Sequence, residues 1–405
     1  MLELTADGTA DQSPHPRAGA TLSGAEVIVE VLRQEQVRHV FGYSGGAILP
    51  TFDAVFRHNA DAADEHTIEM VVPANEQGAA FMAAGYARAS GQVGVVMVTS
   101  GPGATNTVTP VRDCMADSTP IVVLCGQVPT TAIGTDAFQE APVSSIMGAA
   151  CKHVFLVTEA ERLEATLRTA FELARSGRPG PVVVDIPKNV QTAELTFSGA
   201  GALPIPGYRQ RMVRMQGNVL RPERIERFFD MLRECEAPLL YVGGGAINGD
   251  ASEAVSALAR ECGIPVVTTL MGIGAFDTTD ALSLHMLGMH GTAFANYAVE
   301  DCDFLIAIGS RFDDRVAGVP SKFAPKTRHI AHFDIDIALM PKSDEFDMIE
   351  VARLSRPDGP LWLALETNME GDQTLVASVD DIEGIMPELP LTRKSVTTFR
   401  AEDAS

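Results

Sequence analysis

One glutamate stands at the head of a long uncharged segment and is the first candidate for chemistry. Glu76 precedes Gln77–Ala87, a segment made mostly of Ala and Gly that predicts a closely packed helix. A carboxylate at such a helix start is either a solvated residue that complements the helix dipole or a desolvated acid that exchanges a proton with a ligand. The pattern alone favours neither interpretation.

Two glycine-containing segments follow apolar runs and would bring backbone close to a ligand. Phe41–Ala47 follows the predicted strand Val37–Phe41, and Thr99–Asn106 follows Val93–Val98. Glycines allow close approach and leave N–H groups available for an anion. Taken alone, the first segment is more often an ordinary tight turn. The second has the strand–loop–helix order of a ligand-facing edge, although it is not a Walker A loop.

A second set of candidates lies in the later half of the chain. Gly243–Gly245 follows the predicted strand Leu239–Val242, and Gly309–Arg315 follows Phe304–Ile308. The two arginines of the latter segment suit a diphosphate or a substrate carboxylate, and a surface Arg–Asp network is the alternative. Asp334, after the next apolar run, is placed to accept a hydrogen bond from a ribose hydroxyl.

The elements that must position these residues are apolar runs separated by helix-length segments. Strands without polar alternation are typical of parallel sheets covered by helices on both faces. Alternating strands and helices predict an α/β protein with two doubly wound parallel-sheet domains. The strand candidates not yet named are Ile121–Cys125, Val182–Ile186, Ile264–Thr268 and Ile330–Ile335.

Helix signals and changes of composition divide the chain. Ser23 and Glu26 form a capping-box pattern, and Thr158 with Glu161 predicts another capped helix. We expect five parts. They are a flexible N-terminal arm (1–20), an α/β domain (21–190), a linker rich in Gly and Pro (191–222), a second α/β domain (223–338) and a divergent acidic tail of unassigned fold (339–405).

The composition excludes several classes of function. Apolar residues make up 46% of the chain and the formal charge is −22, so a globular protein that repels nucleic acid and anionic membrane surfaces is expected. No segment approaches the ~20 apolar residues that a membrane-spanning helix needs. Six scattered cysteines without a C-x-x-C pair indicate buried thiols. Together with a start that lacks signal- or transit-peptide features, they predict a cytoplasmic protein.

In this order the motifs resemble the large catalytic subunit of acetohydroxyacid synthase (acetolactate synthase), a family that binds thiamine diphosphate and FAD. The resemblance extends from about Thr21 to Asp336. It implies that 21–190 is the pyrimidine-binding domain and 223–338 the central FAD-binding domain. The motifs that carry it are Phe41–Pro50, Glu76–Ala80, Thr99–Asn106, Gly134–Glu140, Gly177–Pro181, Met286–Thr292 and Arg311–Arg315.

The resemblance also implies roles for individual residues. Glu76 would bond the aminopyrimidine ring of thiamine diphosphate, Gly46 and Ala47 would stabilise oxyanion charge, and Gln139 would lie near the reacting groups. Pro102 and Asn106 would line the same pocket. The residues implied around FAD are Arg178, Gly243, Gly244, Gly245, Thr269, Leu270, Met271, His290, Gly309, Arg311, Asp313, Arg315 and Asp334.

The activity implied is that of a transferase in branched-chain (isoleucine and valine) amino acid biosynthesis. Pyruvate is decarboxylated on thiamine diphosphate, and the remaining unit is joined to a second 2-keto acid. The implied assembly is a homodimer or homotetramer with a small regulatory subunit as a further partner.

Four departures from this family matter, and two of them are Ser44, where the family usually has Pro, and Met147–Cys151, in place of a Thr-Arg-Pro-like stretch. The domain that holds the diphosphate through Mg²⁺ with a Gly-Asp-Gly motif is not found, so no Mg²⁺ ligand can be named, and the isolated chain is expected to be impaired. Asn75 also stands where the family usually has His. A catalytically silent, truncated cofactor-binding fragment or partner protein stays open as an alternative, as does another thiamine-diphosphate carboligase or decarboxylase.

Overall fold

A computed structural model describes residues 15–63, 66–205, 222–319, 322–334, 347–356, 359–367 and 373–375. The chain divides into two compact units, residues 1–205 and residues 206–405.

The first unit contains a parallel sheet of six strands. Its strands are β2 (His39–Tyr43), β3 (Glu69–Val71), β4 (Gly94–Val98), β5 (Ile121–Gln127), β6 (His153–Leu156) and β7 (Val182–Pro187). They lie in the order β3-β2-β4-β5-β7-β6, and every neighbouring pair is parallel. A separate antiparallel pair joins β1 (Thr21–Ser23) to β8 (Glu194–Thr196).

In the part of this unit that the structure describes, eight helices accompany these strands. They are α1 (Gly24–Gln34), α2 (Leu49–Asp61), α3 (Glu76–Ser90), α4 (Pro102–Thr105), α5 (Val108–Ala116), α6 (Val143–Met147), α7 (Leu163–Arg175) and α8 (Lys188–Thr192). Short 3₁₀ turns cover Thr130–Ala132 and Ala160–Arg162.

The small residues of α3 explain how a helix lies so close to this sheet. Five buried alanines form one face of α3 and join the core with β4 and β5 (Ala79, Ala80, Ala83, Ala84 and Ala87). Where the helix meets the first residue of β4, a Cβ on Gly94 would lie only 2.3 Å from the Ala83 carbonyl oxygen. The alanine stripe therefore brings the start of α3 close to the strand ends that carry the glycine segments.

One predicted helix cap is confirmed and the other is wrong. The Ser23 hydroxyl accepts a bond from the Glu26 amide at 3.2 Å, and the Ser23 amide donates to the Glu26 carboxylate at 2.8 Å. This is a complete capping box at the start of α1. The cap predicted from Thr158 and Glu161 is absent, because α7 begins at Leu163 after a 3₁₀ turn and neither element has a side-chain cap.

The second unit is built on an eight-stranded sheet. Its strands are β9 (Pro238–Val242), β10 (Val266–Thr268), β11 (Ser283–Met286), β12 (Phe304–Ile308), β13 (His329–Phe333), β14 (Asp347–Arg356), β15 (Gly359–Thr367) and β16 (Gln373–Leu375). The order is β11-β10-β9-β12-β13-β14-β15-β16, parallel from β11 to β14 and antiparallel at β15 and β16.

Four helices accompany this sheet in the described residues: α9 (Pro222–Glu234), α10 (Gly244–Asn248), α11 (Ser252–Cys262) and α12 (Ala293–Asp301). A 3₁₀ turn covers Leu270–Gly272. Apolar clusters lie on both faces of the sheet, as expected for strands with continuous apolar sequence.

The predicted fold class is confirmed: both units are α/β with parallel sheets between helices. Three details differ from the sequence expectations. Strand β8 lies within the stretch assigned to a linker, and the first unit continues to residue 205. Strands β14–β16 lie within the tail that had no assigned fold. Of the predicted arm, residues 1–14 lie outside the described residues, and Arg17 is held by the buried Glu30 at 2.7 Å.

Candidate functional site

The order of strands in the first sheet places a crevice at the ends of two neighbouring strands. The chain runs from β2 outward to β3 and then returns to β4 on the other side of β2. Connections therefore leave β2 and β4 in opposite directions, which opens a crevice at their carboxyl ends. The two glycine segments predicted from the sequence, Phe41–Ala47 and Thr99–Asn106, both begin at this point.

Glu76 is buried at the start of α3 rather than solvated. Its side chain is about nine-tenths buried, and the side-chain Nδ2 of Asn106 donates to its Oε2 at 2.9 Å. The preceding residue caps the helix, since Asn75 Oδ1 accepts from the Gly78 amide at 2.8 Å. Because Asn75 meets an N–H group of the first turn, Glu76 is not the capping side chain, and its carboxylate faces Asn106.

The turn after β2 is held firmly on one side and open on the other. The Ala47 amide donates to Thr99 Oγ1 at 3.3 Å, and a Cβ on Gly45 would lie 2.6 Å from the Thr99 side chain. A Cβ on Gly126 would lie 2.6 Å from the Ala47 carbonyl carbon. In contrast, a Cβ on Gly46 would meet nothing within 4 Å. Within the described residues, no hydrogen bond uses the Gly46 amide. Gly46 therefore has room for a ligand.

The glycine loop after β4 brings two predicted residues, Pro102 and Asn106, to this crevice. Pro102 is exposed at the first position of α4, and Asn106 follows that helix. A Cβ on Gly103 would lie 2.8 Å from Thr99 Cγ2 and 3.7 Å from Glu76 Oε1. Thr99 thus contacts both the Gly45–Ala47 turn and the loop that borders the Glu76 carboxylate.

Gln139 lies in a loop that is closed by a neighbouring carboxylate. Its side chain is exposed and its backbone has φ 58°, a left-handed conformation that is uncommon for glutamine. Glu140 accepts hydrogen bonds from the amides of Gly134 and Ala137, which lowers the pKa of its carboxyl group. The Gln139 backbone packs directly on Gly101, because a Cβ on Gly101 would lie 2.5 Å from the Gln139 carbonyl oxygen.

Arg178, predicted near FAD, makes its described contacts inside the first unit. Its Nε donates to Ser118 Oγ at 2.9 Å, and its Nη2 donates to the carbonyl oxygens of Met115 and Ala116 at 3.0 and 3.1 Å. These carbonyls end α5, where a guanidinium complements the helix dipole. The Gly177–Pro181 motif thus has a structural explanation, and the role of Arg178 toward FAD stays a prediction.

Lys152, a second cation beside this motif, binds carbonyl groups at the C-terminal end of α7. Lys152 Nζ donates to the carbonyl oxygens of Leu173, Ser176 and Arg178 at 2.6, 2.6 and 2.9 Å. Burial lowers the pKa of Lys152 to about 8, and the positive charge of Arg178 acts in the same direction. The three carbonyl acceptors favour the ammonium form and complete the C-terminal end of α7.

The second unit has an equivalent crevice between β9 and β12. The chain leaves β9 toward β10 and β11 and returns to β12 on the other side. The Gly243–Gly245 segment packs directly on the Gly309 backbone, since Cβ atoms on Gly243 and Gly245 would lie 2.2 and 2.7 Å from Gly309 atoms. A Cβ on Gly244 would lie 2.9 Å from Met271 Cβ. The predicted Thr269–Met271 segment is therefore also at this crevice.

Two backbone carbonyl groups of the loop after β12 each accept a hydrogen bond from a buried side chain of the sheet. Tyr241 Oη donates to the Arg311 carbonyl oxygen, and His332 Nε2 donates to the Ser310 carbonyl oxygen at 2.9 Å. His332 is fully buried, and its Nε2 lies 3.7 Å from Asp334 Oδ2. Since a trans peptide points its N–H opposite its carbonyl, the amides that follow Ser310 and Arg311 point away from these two side chains.

The charged side chains of this second crevice are more exposed. Arg315 is 68% exposed, and Arg311 Nη2 lies 3.7 Å from Asp313 Oδ2. His290 is exposed, and Asp334 is buried. The structure therefore brings both predicted arginines, Asp313 and Asp334 to the loops beyond β12 and β13.

Sequence reasoning missed the polar residues beneath the first crevice. Gln127 Nε2 donates to Asp185 Oδ2 at 3.0 Å, and the other oxygen of Asp185 has no hydrogen-bond partner among the described residues. Burial raises the pKa of Asp185 to about 7. The signal was present, because a carboxylate in the otherwise apolar run Val182–Ile186 is costly unless it is neutral or paired.

In the described residues, no cluster of three or more His, Cys, Asp or Glu side chains is arranged to hold a metal ion. No helix in that part of the chain is long and apolar enough to cross a membrane.

Comparisons with known protein families match both units. Residues 22–147 match the thiamine pyrophosphate enzyme N-terminal TPP binding domain, and residues 225–355 match the thiamine pyrophosphate enzyme central domain.

Individual relatives carry more specific names. The acetolactate synthase catalytic subunit, mitochondrial, of Saccharomyces cerevisiae is 49% identical over 76% of this chain and 44% of its own length. The acetolactate synthase large subunit of Parasynechococcus marenigrum is 44% identical over 89% of this chain and 60% of its own length. The acetolactate synthase large subunit of Corynebacterium glutamicum is 40% identical over 94% of this chain and 60% of its own length. A match over 94% of this chain continues past residue 338. The chain spans about half the length of the curated relatives it matches. With the N-terminal and central domains both matched and these relatives beside them, the chain belongs to the thiamine pyrophosphate enzymes of the acetolactate synthase type.

Proposed function

We propose that the chain carries out thiamine-diphosphate-dependent decarboxylation of pyruvate and condensation with a second 2-keto acid, as the acetolactate synthase name of its relatives indicates. One observation carries the proposal. The carboxylate of Glu76 is buried and held by Asn106 at the same crevice where Gly46 has open space beside it.

The residues of the first crevice fit the pyrimidine end of thiamine diphosphate. A buried carboxylate with one oxygen bonded at 2.9 Å to an amide can share a proton with a ring nitrogen through its other oxygen. Gly46 leaves space where a larger side chain would stand, which supports close approach of a ligand. When bound, thiamine diphosphate supplies a carbon nucleophile that adds to 2-keto acids.

Four groups of the protein would then act on the bound ligands. Glu76 would hold the proton that the pyrimidine nitrogen shares, and Asn106 would fix the orientation of its carboxylate. The free amide of Gly46 would donate to a developing oxyanion, while the amide of Ala47 already donates to Thr99. The oxyanion role predicted for both residues thus fits Gly46 better than Ala47. Gln139 would contact the 2-keto acid from its exposed loop.

FAD is the second ligand in this proposal, and the second crevice supports it. Backbone amides directed away from Tyr241 and His332, with Arg311 and Arg315 beside them, suit a diphosphate. Asp334 would accept from a ribose hydroxyl. Gly243–Gly245, Gly309 and the Thr269–Met271 segment shape the backbone at this crevice. His290 and Asp313 would lie at its border.

The remaining parts of the proposal rest on the relatives. Mg²⁺ would accompany the diphosphate, and no ligands for it are assigned in this chain. A homodimer or homotetramer, and a regulatory subunit, are proposed as partners because the relatives are named catalytic or large subunits. Cytoplasmic localisation stays a prediction, since named relatives include mitochondrial and chloroplastic proteins.

The experiment measures exchange of the thiazolium C2 proton by NMR with the chain, thiamine diphosphate, Mg²⁺ and FAD, beside acetolactate formed from pyruvate. We expect Glu76→Gln to slow exchange by at least ~10²-fold, the usual contribution of a positioned acid–base group. Glu161→Gln, at an exposed 3₁₀-turn position, is the matched control and should change nothing. Exchange no faster with the unaltered chain than in free solution would overturn the proposal.

A further inference from the structure

One short segment contacts both loops that carry the proposed reactive residues. The segment Asp185–Gln191 runs from the end of β7 into α8, below the first crevice. Gln191 reaches the turn at Ala47, and Asn189 reaches the start of the loop 130–141. Asp185 accepts a hydrogen bond from Gln127, whose side chain in turn holds the end of that loop.

Gln191 holds the turn that contains Gly46. Its Nε2 donates to the Ala47 carbonyl oxygen at 2.7 Å and to the Ile186 carbonyl oxygen at 2.9 Å. Its Oε1 accepts from the Thr51 hydroxyl at 2.9 Å. The side chain is fully buried, and both polar atoms of its amide are used. A buried amide whose two N–H groups and oxygen are all hydrogen-bonded fixes the geometry of its partners, because any shift leaves a polar group unpaired.

The loop that carries Gln139 is tied to the same segment at both ends. At its start, Asn189 accepts from the Thr130 amide at 2.9 Å and donates to the Thr130 hydroxyl at 3.1 Å. At its end, Gln127 donates to the Ala141 carbonyl oxygen at 3.1 Å and to Asp185 Oδ2 at 3.0 Å.

Close backbone packing restricts the turn next to Gly46 and the backbone of Gln139. Gly126 leaves no space against Ala47, and Gly101 leaves none against the Gln139 backbone. The turn cannot move toward β5 without a clash, so its place is set by Gln191 on one side and Thr99 on the other. Gly46 is the position of the turn that remains open toward a ligand.

We propose that Gln191 and Asn189 are positioning residues that hold the Gly46 turn and the Gln139 loop in one fixed relation, so that both meet the same 2-keto acid. This inference rests on the proposed function for its chemistry. Its structural content is independent of that function: loss of either side chain should loosen its own loop while the sheet stays intact.

The first test is amide hydrogen exchange of the full chain, followed by mass spectrometry. Gln191→Met keeps the side-chain volume and removes the hydrogen bonds to Ala47 and Thr51. We expect exchange in residues 45–52 to speed up by about 10-fold or more, and exchange in β4 and β5 to stay unchanged. Asn189→Ala should do the same for residues 130–133. Thr192→Ala is the control, since its hydroxyl contacts only carbonyls within its own helix.

A conservative substitution distinguishes the loss of the Gln191 hydrogen bonds from a general destabilisation of the first unit. Gln191→Glu keeps the acceptor for Thr51 and places an oxygen opposite two carbonyls. The substituted carboxyl can donate only when protonated, so protection of residues 45–52 should be regained as the pH falls. No dependence of this protection on pH would contradict the positioning role, as would uniform loss of protection across the unit.

The second test separates positioning from the proposed reaction. With pyruvate, Gln191→Met should lower kcat for acetolactate about 10- to 100-fold with less change in KM, because a displaced group costs mainly the reacting geometry. If the exchange results hold and no acetolactate forms with any variant or the unaltered chain, the proposed function fails and the positioning role stands. If kcat is unchanged while residues 45–52 loosen, the positioning role fails and the function stands.

Discussion

The two crevices of this chain use glycine for opposite purposes. In the first unit, Gly46 has nothing within 4 Å of an added Cβ, so it leaves room for a ligand. In the second unit, Gly245 and Gly309 fill each other's space, since an added Cβ on Gly245 would lie 2.7 Å from Gly309 Cα and one on Gly309 would lie 2.5 Å from the Gly245 carbonyl carbon. Glycines in similar strand-to-loop positions therefore mark a site in one case and backbone packing in the other.

The cationic groups distinguish the two crevices. Buried carboxylates occur in both, Glu76 and Asp185 in the first and Asp334 in the second, but the second also has Arg315, which is largely exposed. A buried carboxylate can have its proton affinity tuned for chemistry, and an exposed arginine can bind an anion without exchanging a proton. This contrast supports the proposal that the first crevice carries the reaction and the second holds a ligand.

The largest expected effect separates the two kinds of glycine. Gly309 has φ +57°, and an added Cβ would lie 2.4 Å from the Ala246 amide nitrogen. Gly309→Ala should therefore destabilise the second unit by about 4–5 kcal/mol or prevent its folding. Gly46→Ala should change the free energy of unfolding by less than about 0.5 kcal/mol and still impair the reaction. Urea unfolding followed by circular dichroism measures both, and equal destabilisation would remove the distinction.

The next effect tests the buried carboxyl of the first unit. Because burial raises the pKa of Asp185 to about 7 from 3.8, the folded protein holds a proton that the unfolded chain releases near pH 4. Stability should fall as the pH rises from about 4 to about 7 and then level off. Asp185→Asn should remove this slope. Its free energy of unfolding should therefore exceed that of the unaltered chain by little near pH 4 and by about 2–4 kcal/mol near pH 7. Parallel unfolding curves for both proteins across this range would contradict the assignment.

A smaller effect tests ligand binding at the second crevice. Arg311→Ala and Arg315→Ala should each weaken FAD binding by about 1.5–3 kcal/mol if they make charge-assisted hydrogen bonds. Arg328→Ala is the control, since this arginine pairs with Asp303 at 2.8 Å on the surface. Quenching of flavin fluorescence on titration gives the affinity. An equal loss from all three variants would indicate a general effect of charge.

The sequence predicted those features that depend on local pattern. Phe304–Ile308 is a strand with the expected bounds, and the Ser23 capping box forms as predicted, because both signals lie within a few residues. That Glu76 lies beside the loop of Pro102 and Asn106 was implied by the family resemblance and not by the local pattern.

Contacts between distant segments could not be predicted in this way. Arg178 meets the end of α5, more than sixty residues earlier in the chain, and nothing in its own motif names that partner. Strand β8 is only three residues long, and its pairing with β1 joins Thr196 to Thr21. The failed cap at Thr158 has a local cause: a 3₁₀ turn precedes α7, so the helix starts later than the pattern suggests.

The smallest expected effect concerns the start of α3, where the two explanations of Glu76 can be separated without any ligand. Asn75 accepts from the Gly78 amide, so Asn75→Ala should cost about 1 kcal/mol of stability, the usual loss of an N-cap. Asn75→Ser should restore most of it. If Glu76 served mainly the helix dipole, Glu76→Gln should cost about 0.3–1 kcal/mol as well. For a buried carboxylate bonded to Asn106, the same substitution should cost nothing or stabilise the fold, because a desolvated charge is removed while an acceptor oxygen remains for Asn106. Urea melts of the three variants decide between them, since a loss with Glu76→Gln equal to that of Asn75→Ala would return Glu76 to the role of an ordinary first-turn residue.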